Sequence, residues 1–253
     1  MSQDRREFIK KIAAGGFYLF LPHLFFSCKK RDSEEHLKES KYPPPVPRRF
    51  DITLKSEDRK SPDFPVRWDH PFHPVDGLKW ILTVDGLVQK IGRFTLGDIE
   101  MFPSRRITCR LKSVEGWSIK KSWTGIHFRD LCNYVKPKPE ATYVHFICAD
   151  DYFECIELTD LLGPRVILAY RLEDEFIPLE HGYPLRLIIP HKYSYKSAKA
   201  IVRIVFSDEK KLGTKTISNP ELFPWAGDIK PGIDHPIELN ETKEISGGEI
   251  TSY

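Results

Sequence analysis

Short apolar runs bounded by turn residues dominate the chain from Lys79 onwards. The first run, 80–84, stops at Asp85-Gly86, a dipeptide that favours turns. Runs of this length are typical of strands, because helices usually need ten or more residues. We predict further strands at 106–114, 143–148, 153–158, 166–170, 185–190 and 200–206. Many strands with few helices indicate an α+β, mostly-β fold instead of alternating βαβ units.

Two segments show helical features. Residues 94–99 predict a short helix with Thr95 as its N-cap. Residues 126–135 carry apolar side chains at helical spacing and stop before Pro137, which predicts a second helix. The residues after Ser207 have little periodicity, and we expect them to wrap around the surface.

The N-terminus predicts export. Arg5-Arg6 within 4–10 resembles a twin-arginine signal, and the apolar run 12–26 is shorter than the roughly 20 residues of a membrane-spanning helix. Cys28 follows as a candidate lipobox cysteine, so we predict a signal over 1–28 and lipidation of Cys28. The alternative is an uncleaved anchor with a chance cysteine. The twin-arginine route carries folded proteins, often with a cofactor already inserted.

The mature chain divides into a tether and a domain. Residues 29–50 are charged and then Pro-rich, which predicts a flexible tether, and 51–253 form the predicted domain. The chain is therefore expected to be lipid-anchored, in the periplasm or at the cell surface. A net charge of +3 without a basic stripe argues against nucleic-acid binding. Cys148 and Cys155 either pair across a hairpin or remain buried thiols.

Two sequence blocks resemble a known family. The segment 113–118 with Trp123-Thr124-Gly125, and the block 181–199 (HGYPLRLIIPHKYSYKSAK), are similar to motifs of the sulfite oxidase and periplasmic methionine-sulfoxide reductase family of molybdopterin oxidoreductases. The resemblance covers roughly residues 65–250. It implies the sulfite-oxidase-type molybdopterin-binding fold and a molybdenum–molybdopterin cofactor. No added dimerisation domain is evident, so a monomer is expected.

The resemblance also implies which residues contact the cofactor. It assigns Arg186, Ser197, Ala198 and Lys199 to its binding, and Arg suits a phosphate because its fork of donors is always charged. Backbone N–H groups near Ser197 are expected to help cradle the phosphate. The alternative role for Arg186 is a structural ion pair.

The resemblance implies further cofactor contacts at positions that match the family motifs less directly. Arg67 and His70 are placed near the pterin. His181 stands in place of the usual Asn, and Cys148 stands where Thr is common. For these last two the alternatives are a surface histidine and a buried thiol.

The chain departs from the family at the metal ligand. Ser113 occupies the position of the cysteine whose thiolate ligates molybdenum, and a hydroxyl is a harder, far less acidic ligand. Cys109 would lie about 13 Å away along a strand and could substitute only through a bulge. Glu115 is expected beside the open face of the metal, where it contacts substrate or water or serves as a structural carboxylate.

Three functions remain open at this point. The first is an oxidoreductase in which Ser113 or no protein group completes the metal shell. It would transfer an oxygen atom to or from a sulfoxide, such as oxidised methionine, with electrons from a haem-bearing membrane partner. The second is a cofactor-binding module without turnover, and the third is a cofactor-free scaffold.

Overall fold

The computed structural model describes residues 64–229 apart from Phe72 and Gly116, together with the short strands at 233–234 and 243–244. The predicted signal at 1–28, Cys28 and the predicted tether at 29–50 lie outside the described residues.

The first sheet has the strand order β2-β1-β10-β5-β6. Strand β1 pairs in parallel with β10, and the other neighbours in this sheet pair in antiparallel fashion. Its buried side chains are apolar at alternate positions in β1, as expected for a strand with one face in the core. The strands are β1 Leu82–Gly86, β2 Gly92–Phe94, β5 Tyr143–Cys148, β6 Phe153–Glu157 and β10 Ile201–Ser207.

The second sheet has the order β3-β4-β7-β8, and β9 also pairs with β7. Its long hairpin joins β3 to β4 from the pair Ser104↔Ile126 to the pair Lys112↔Ser118, so the connecting turn spans 113–117. The strands are β3 Ser104–Lys112, β4 Ser118–His127, β7 Ile167–Leu172, β8 Glu175–Phe176 and β9 Arg186–Ile188. A separate pair joins β11 Ile233–Asp234 to β12 Lys243–Glu244.

The helices are short. They are α1 Leu96–Glu100, α2 Phe128–Val135, α3 Leu158–Leu161 and α4 Thr214–Ser218, with 3-10 turns at Leu179–His181 and Ser194–Lys196. Among the described residues, no helix has both the length and the apolar character needed to cross a bilayer.

The predicted elements are largely confirmed. Thr95 caps α1 through a reciprocal capping box with Asp98, as the sequence suggests. The helix predicted at 126–135 begins two residues later, because Ile126 and His127 end strand β4. Strand β4 itself was not predicted, and helix α4 interrupts the irregular C-terminal part.

The core consists of a large cluster and a smaller one. The larger includes Val84, Phe128, Phe146 and Phe206. The smaller surrounds Trp123 of β4, which is fully buried. Strand β4 lies so close to β7 that a Cβ added at Gly125 would stand 2.1 Å from the carbonyl oxygen of Leu168. This position therefore requires glycine.

Candidate functional site

A cavity of about 780 Å³, counting the part open to solvent, brings the predicted site residues together. Four stretches form most of its wall: 64–69, the β3–β4 turn, the start of β9 with the preceding 3-10 turn, and 194–199. The predicted residues that line it are Arg67, Ser113, Glu115, His181, Arg186, Ser197, Ala198 and Lys199.

Two predicted site residues lie outside the lining. His70 shares a hydrogen bond of 2.9 Å between its Nδ1 and the carbonyl oxygen of Asp150, a residue that does line the cavity. Cys148 is buried and its thiol receives the backbone N–H of Lys199, so it supports the wall from behind. Burial raises the pKa of the Cys148 thiol, which keeps it protonated. A direct cofactor contact by these two residues therefore stays a prediction.

Arg186 supplies a buried positive charge. Its guanidinium stacks 4.9 Å from the centre of the Trp123 ring, and Nη1 donates to the carbonyl oxygen of His181 at 2.8 Å. Nε is buried and has no hydrogen-bond partner among the described residues. No described carboxylate forms an ion pair with it, so the structural ion pair considered for Arg186 is not formed in this part of the chain. Burial lowers its pKa to about 10, which leaves it charged at neutral pH.

The 194–199 segment presents side chains, and not backbone donors, to the cavity. The backbone N–H of Ser197 donates to Ser194 and that of Ala198 donates to Lys196, so these groups are already engaged in the 3-10 turn. The expected cradle of backbone N–H groups near Ser197 is therefore wrong for these two residues. Instead, the buried Ser197 hydroxyl faces the cavity without a partner among the described residues.

Lys199 adds a second cation. Its Nζ lies 3.9 Å from the centre of the Trp68 ring and donates to the carbonyl oxygen of Arg67. Burial, and next the charge of Arg186, lower the pKa of Lys199 to about 7. A bound anion would reverse this shift, because it favours the charged ammonium.

The other cavity charges largely cancel. Arg67 pairs with Glu115 at 2.8 Å, and Lys215 pairs with Asp69 at 2.5 Å. Burial raises the pKa of the remaining acid, Asp150. Arg186 thus leaves the inner wall positive, and a bound anion such as a phosphate would hold Lys199 in its charged form as well.

His181 is a neutral cavity residue. Its ring stacks on Phe64 with centroids 3.9 Å apart and planes 10° apart. Burial, followed by the charge of Arg186, lowers its pKa to about 3. The alternative of a surface histidine is wrong, because a neutral imidazole faces the cavity with one donor and one acceptor.

The β3–β4 turn carries Ser113 and Glu115. The Ser113 hydroxyl accepts the backbone N–H of Glu115 at 3.1 Å. Glu115 Oε2 accepts from Arg67 Nε at 2.8 Å and from the Trp117 indole at 3.1 Å. The Glu115 carboxylate therefore ties the turn to the 64–69 segment, which matches the structural role considered for it.

Cys109 does not reach the cavity. Strand β3 pairs with β4 without a register shift, with Cys109 opposite Lys121. The Cys109 side chain belongs to the buried cluster around Trp123. Burial raises its pKa to about 12. The bulge that would bring Cys109 to the position of Ser113 is absent from this hairpin. Cys148 and Cys155 are also free thiols. The residue opposite Cys155 in the β5–β6 hairpin is His145, not Cys148.

Several lining residues were not predicted. Tyr195 lies inside the block 181–199, and Trp68 and Asp69 stand between the predicted residues Arg67 and His70, so these three could have been found from the sequence. Lys215 and Phe223 lie beyond the last motif, in a segment without periodicity, and offered no sequence signal. Within the described part of the chain, no group of three His, Cys, Asp or Glu side chains could hold a bare metal ion. A metal here would depend on ligands that a cofactor brings.

The residues present fit molybdopterin. Arg186 Nε and the Ser197 hydroxyl are buried polar groups in need of partners, and a phosphate with a pterin ring offers both acceptors and donors. Arg186 and Lys199 would hold the phosphate, and His181 would contact the pterin.

Comparisons with known proteins agree with this geometry. The protein-methionine-sulfoxide reductase catalytic subunit MsrP of Ralstonia nicotianae is 32% identical over 173 residues, which are 62% of this chain and 52% of that protein. The chain thus spans about half the length of this curated relative. The crystal structure of the sulfane dehydrogenase SoxCD from Paracoccus pantotrophus matches with a TM-score of 0.52 at 21% identity. The match covers 57% of this chain and 41% of that one, and it shows a shared fold. The family model for the oxidoreductase molybdopterin binding domain matches residues 70–215, so this chain belongs to the molybdopterin-binding oxidoreductase family.

Proposed function

We propose that this protein is an exported, lipid-anchored molybdopterin-dependent oxidoreductase that transfers an oxygen atom and reduces a sulfoxide, such as oxidised methionine. The observation that carries the proposal is the positive inner wall. There, Arg186 Nε and the Ser197 hydroxyl are buried beside Lys199 without a hydrogen-bond partner among the described residues. The 32% identity to a methionine-sulfoxide reductase subunit supports the choice of sulfoxide.

The inner wall would hold the cofactor by charge and hydrogen bonds. When bound, the cofactor supplies a molybdenum centre able to exchange an oxygen atom and two electrons with the substrate. Arg186 offers its Nε–H and Lys199 its ammonium to the phosphate, while the Ser197 hydroxyl donates or accepts as required. The neutral His181 ring, held flat against Phe64, can hydrogen-bond the pterin without adding charge.

The metal in this proposal lacks a protein thiolate. The dithiolene sulfurs of the cofactor would hold it, and Ser113 either completes the shell or stays outside it. The Ser113 oxygen already accepts one hydrogen bond from Glu115 N–H, which leaves its own O–H proton able to donate. Metal ligation would require this hydroxyl to lose its proton to the metal.

The aromatic lining of the cavity suits a thioether or sulfoxide. Phe64, Trp117 and Phe223 are among the lining residues, and sulfur atoms pack favourably against aromatic rings. Reduction of a sulfoxide takes up two electrons and two protons and releases a thioether and water. We propose that the electrons come from a haem-containing membrane partner and that the protein acts as a monomer.

A second candidate follows from Ser113 alone. A chain that binds the cofactor but lacks the thiolate ligand could have lost turnover and serve as a binding module. The serine at this position, held in a tight turn by Glu115 N–H, is the observation that favours it.

The two candidates are separated by the holoprotein and one ligand variant. Molybdenum-loaded protein is assayed for dithionite-driven sulfoxide reduction as the parent and as Ser113→Cys. Ser207→Cys is a matched control, because the Ser207 hydroxyl accepts the backbone N–H of Glu209 at 3.0 Å in the same kind of turn. We expect the parent to reduce the sulfoxide. The rate of sulfoxide reduction should differ from the parent's in Ser113→Cys and equal it in Ser207→Cys.

Other outcomes decide against the reductase. A loaded parent that neither responds to dithionite nor reduces sulfoxides, together with a gain of activity in Ser113→Cys, would establish the binding module. A chain that takes up no molybdenum and no pterin would overturn both candidates.

A further inference from the structure

An exposed apolar group lies at the β1–β2 end of the first sheet. The side chains of Ile91 and Met101 are 68% and 72% exposed, far above the level of packed residues. Phe94 and Phe102, which are close to them in the chain, form a trio of rings with Tyr134, with centroids 5.3 to 5.8 Å apart. Ile91 and Met101 thus belong to segments that meet at this ring trio.

Cations surround this apolar group. Lys90 Nζ lies 3.6 Å above the Tyr134 ring, and the backbone of 89–90 is hydrogen-bonded to that of 135–136. This contact brings Lys90 and the exposed Lys136 to one surface, and the exposed Lys138 follows Lys136 in the same segment. Among the described residues, none of these three lysines enters an ion pair with a carboxylate.

Acidic side chains are sparse around this charge. No Asp or Glu stands in 89–93, 101–103 or 134–138, and one exposed acid, Glu140, follows Lys138 by two residues. Of the nearby acids, Asp98 caps helix α1 and Glu100 pairs with Arg171 at 3.1 Å. The area is therefore apolar at its centre and positive around its edge.

We propose that this basic–apolar surface rests on an anionic lipid bilayer; it comprises Lys90, Ile91, Met101, Tyr134, Lys136 and Lys138. Exposed aliphatic side chains can enter the headgroup region, while lysine and arginine attract anionic headgroups. The charge complementarity points to a bilayer with acidic lipids. The inference does not depend on the cofactor or on the proposed reaction.

The size of the surface favours a bilayer over a protein partner. A stable protein interface covers about 800 Å² on each side and has a well-packed centre. Here two aliphatic side chains and part of a tyrosine ring are the exposed apolar groups. None of these six residues lines the cavity, so contact with a bilayer would leave the cavity open to substrate.

A fluorescent label tests the proposal in the full chain. A single cysteine is introduced as Ile91→Cys, or at the matched position as Ile217→Cys, where the native side chain is 66% exposed. The four described native cysteines are buried, and the labelled parent gives the background. Each protein is reconstituted with phosphatidylcholine vesicles containing a doxyl-lipid quencher, with and without phosphatidylglycerol.

The label at position 91 is expected to shift to the blue and to be quenched when phosphatidylglycerol is present, and the label at 217 is not. Added salt should weaken the quenching. Neutralising both Lys90 and Lys136 to Gln should raise the anionic lipid needed by roughly 30-fold, since each contributes about 1 kcal/mol near an anionic surface. Equal quenching at both positions, or quenching at 91 that ignores phosphatidylglycerol, would overturn the proposal. Protection of label 91 by a protein alone would replace the bilayer with a protein partner.

Discussion

Lys196 and Glu154 form a buried ion pair directly behind the cavity. Their Nζ and Oε1 atoms are 2.7 Å apart, and the side chains are 1% and 0% exposed. Glu154 Oε2 has no partner among the described residues, so Lys196 provides most of the compensation for its charge. Lys196 also precedes Ser197, and the pair therefore fixes the segment that faces the cavity.

Lys196→Met should remove that compensation. Breaking a buried pair by deleting one partner costs about 3–5 kcal/mol. For a domain of this size, such a loss lowers the melting temperature by about 10 °C. Burial already raises the pKa of the Glu154 carboxyl, and without Lys196 the pKa rises further. The carboxyl then takes up a proton as the pH falls, so the loss should be smaller at mildly acidic than at mildly alkaline pH.

Urea unfolding of the parent and variants measures the effect. Lys211→Met is the matched control, because Lys211 and Glu209 form a pair at 3.1 Å with side chains 47% and 64% exposed. This exposed pair should contribute about 1 kcal/mol or less. Replacing both buried partners, as Glu154→Leu with Lys196→Met, should restore most of the lost stability. If Lys196→Met costs no more than Lys211→Met, the reasoning about the buried pair is refuted.

Three further variants test other parts of the structure. Burial lowers the pKa of His181 from 6.5 to about 3. The free energy of unfolding therefore decreases as the pH falls from 6.5 to about 3, because the unfolded chain takes up the proton first. In acid-unfolding curves, His181→Asn should make this decrease smaller. Thr95→Ala removes the cap of the first helix and should cost about 1 kcal/mol in urea unfolding, whereas an unchanged midpoint would show that the cap is dispensable. Gly125→Ala places a Cβ against Leu168 and should cost more than about 2 kcal/mol, while Gly97→Ala, whose Cβ meets nothing closer than 3.8 Å, should cost nothing measurable.

The strands were predictable where apolar residues recur over a short run. The predicted strand at 143–148 coincides with β5, because its residues are apolar and β-branched or aromatic. Strand β4 was missed, because its polar run Lys120-Lys121-Ser122 hides the alternation between Ile119 and Trp123. Only its pairing with β3 and β7 establishes it as a strand.

The site was predictable where contacts are local in sequence. The block 181–199 contributes Arg186, Ser197 and Lys199 to one wall because it folds as a 3-10 turn, a strand and a second 3-10 turn around the cavity. The engagement of the Ser197 backbone N–H could not be read from residue types, since it depends on the turn geometry. The place of Phe223 in the lining also depends on tertiary packing, because its ring packs against Tyr195 with centroids 5.3 Å apart.

The central claim is that this cavity holds a molybdenum–molybdopterin cofactor without a protein thiolate. Metal analysis combined with X-ray absorption at the molybdenum edge tests it on full-length protein produced in a host that makes the cofactor. We expect molybdenum in equimolar amount with the chain, with sulfur ligands from the cofactor alone in the parent and one additional sulfur in Ser113→Cys. A chain without molybdenum, or a parent that already shows a protein sulfur at the metal, would contradict the claim.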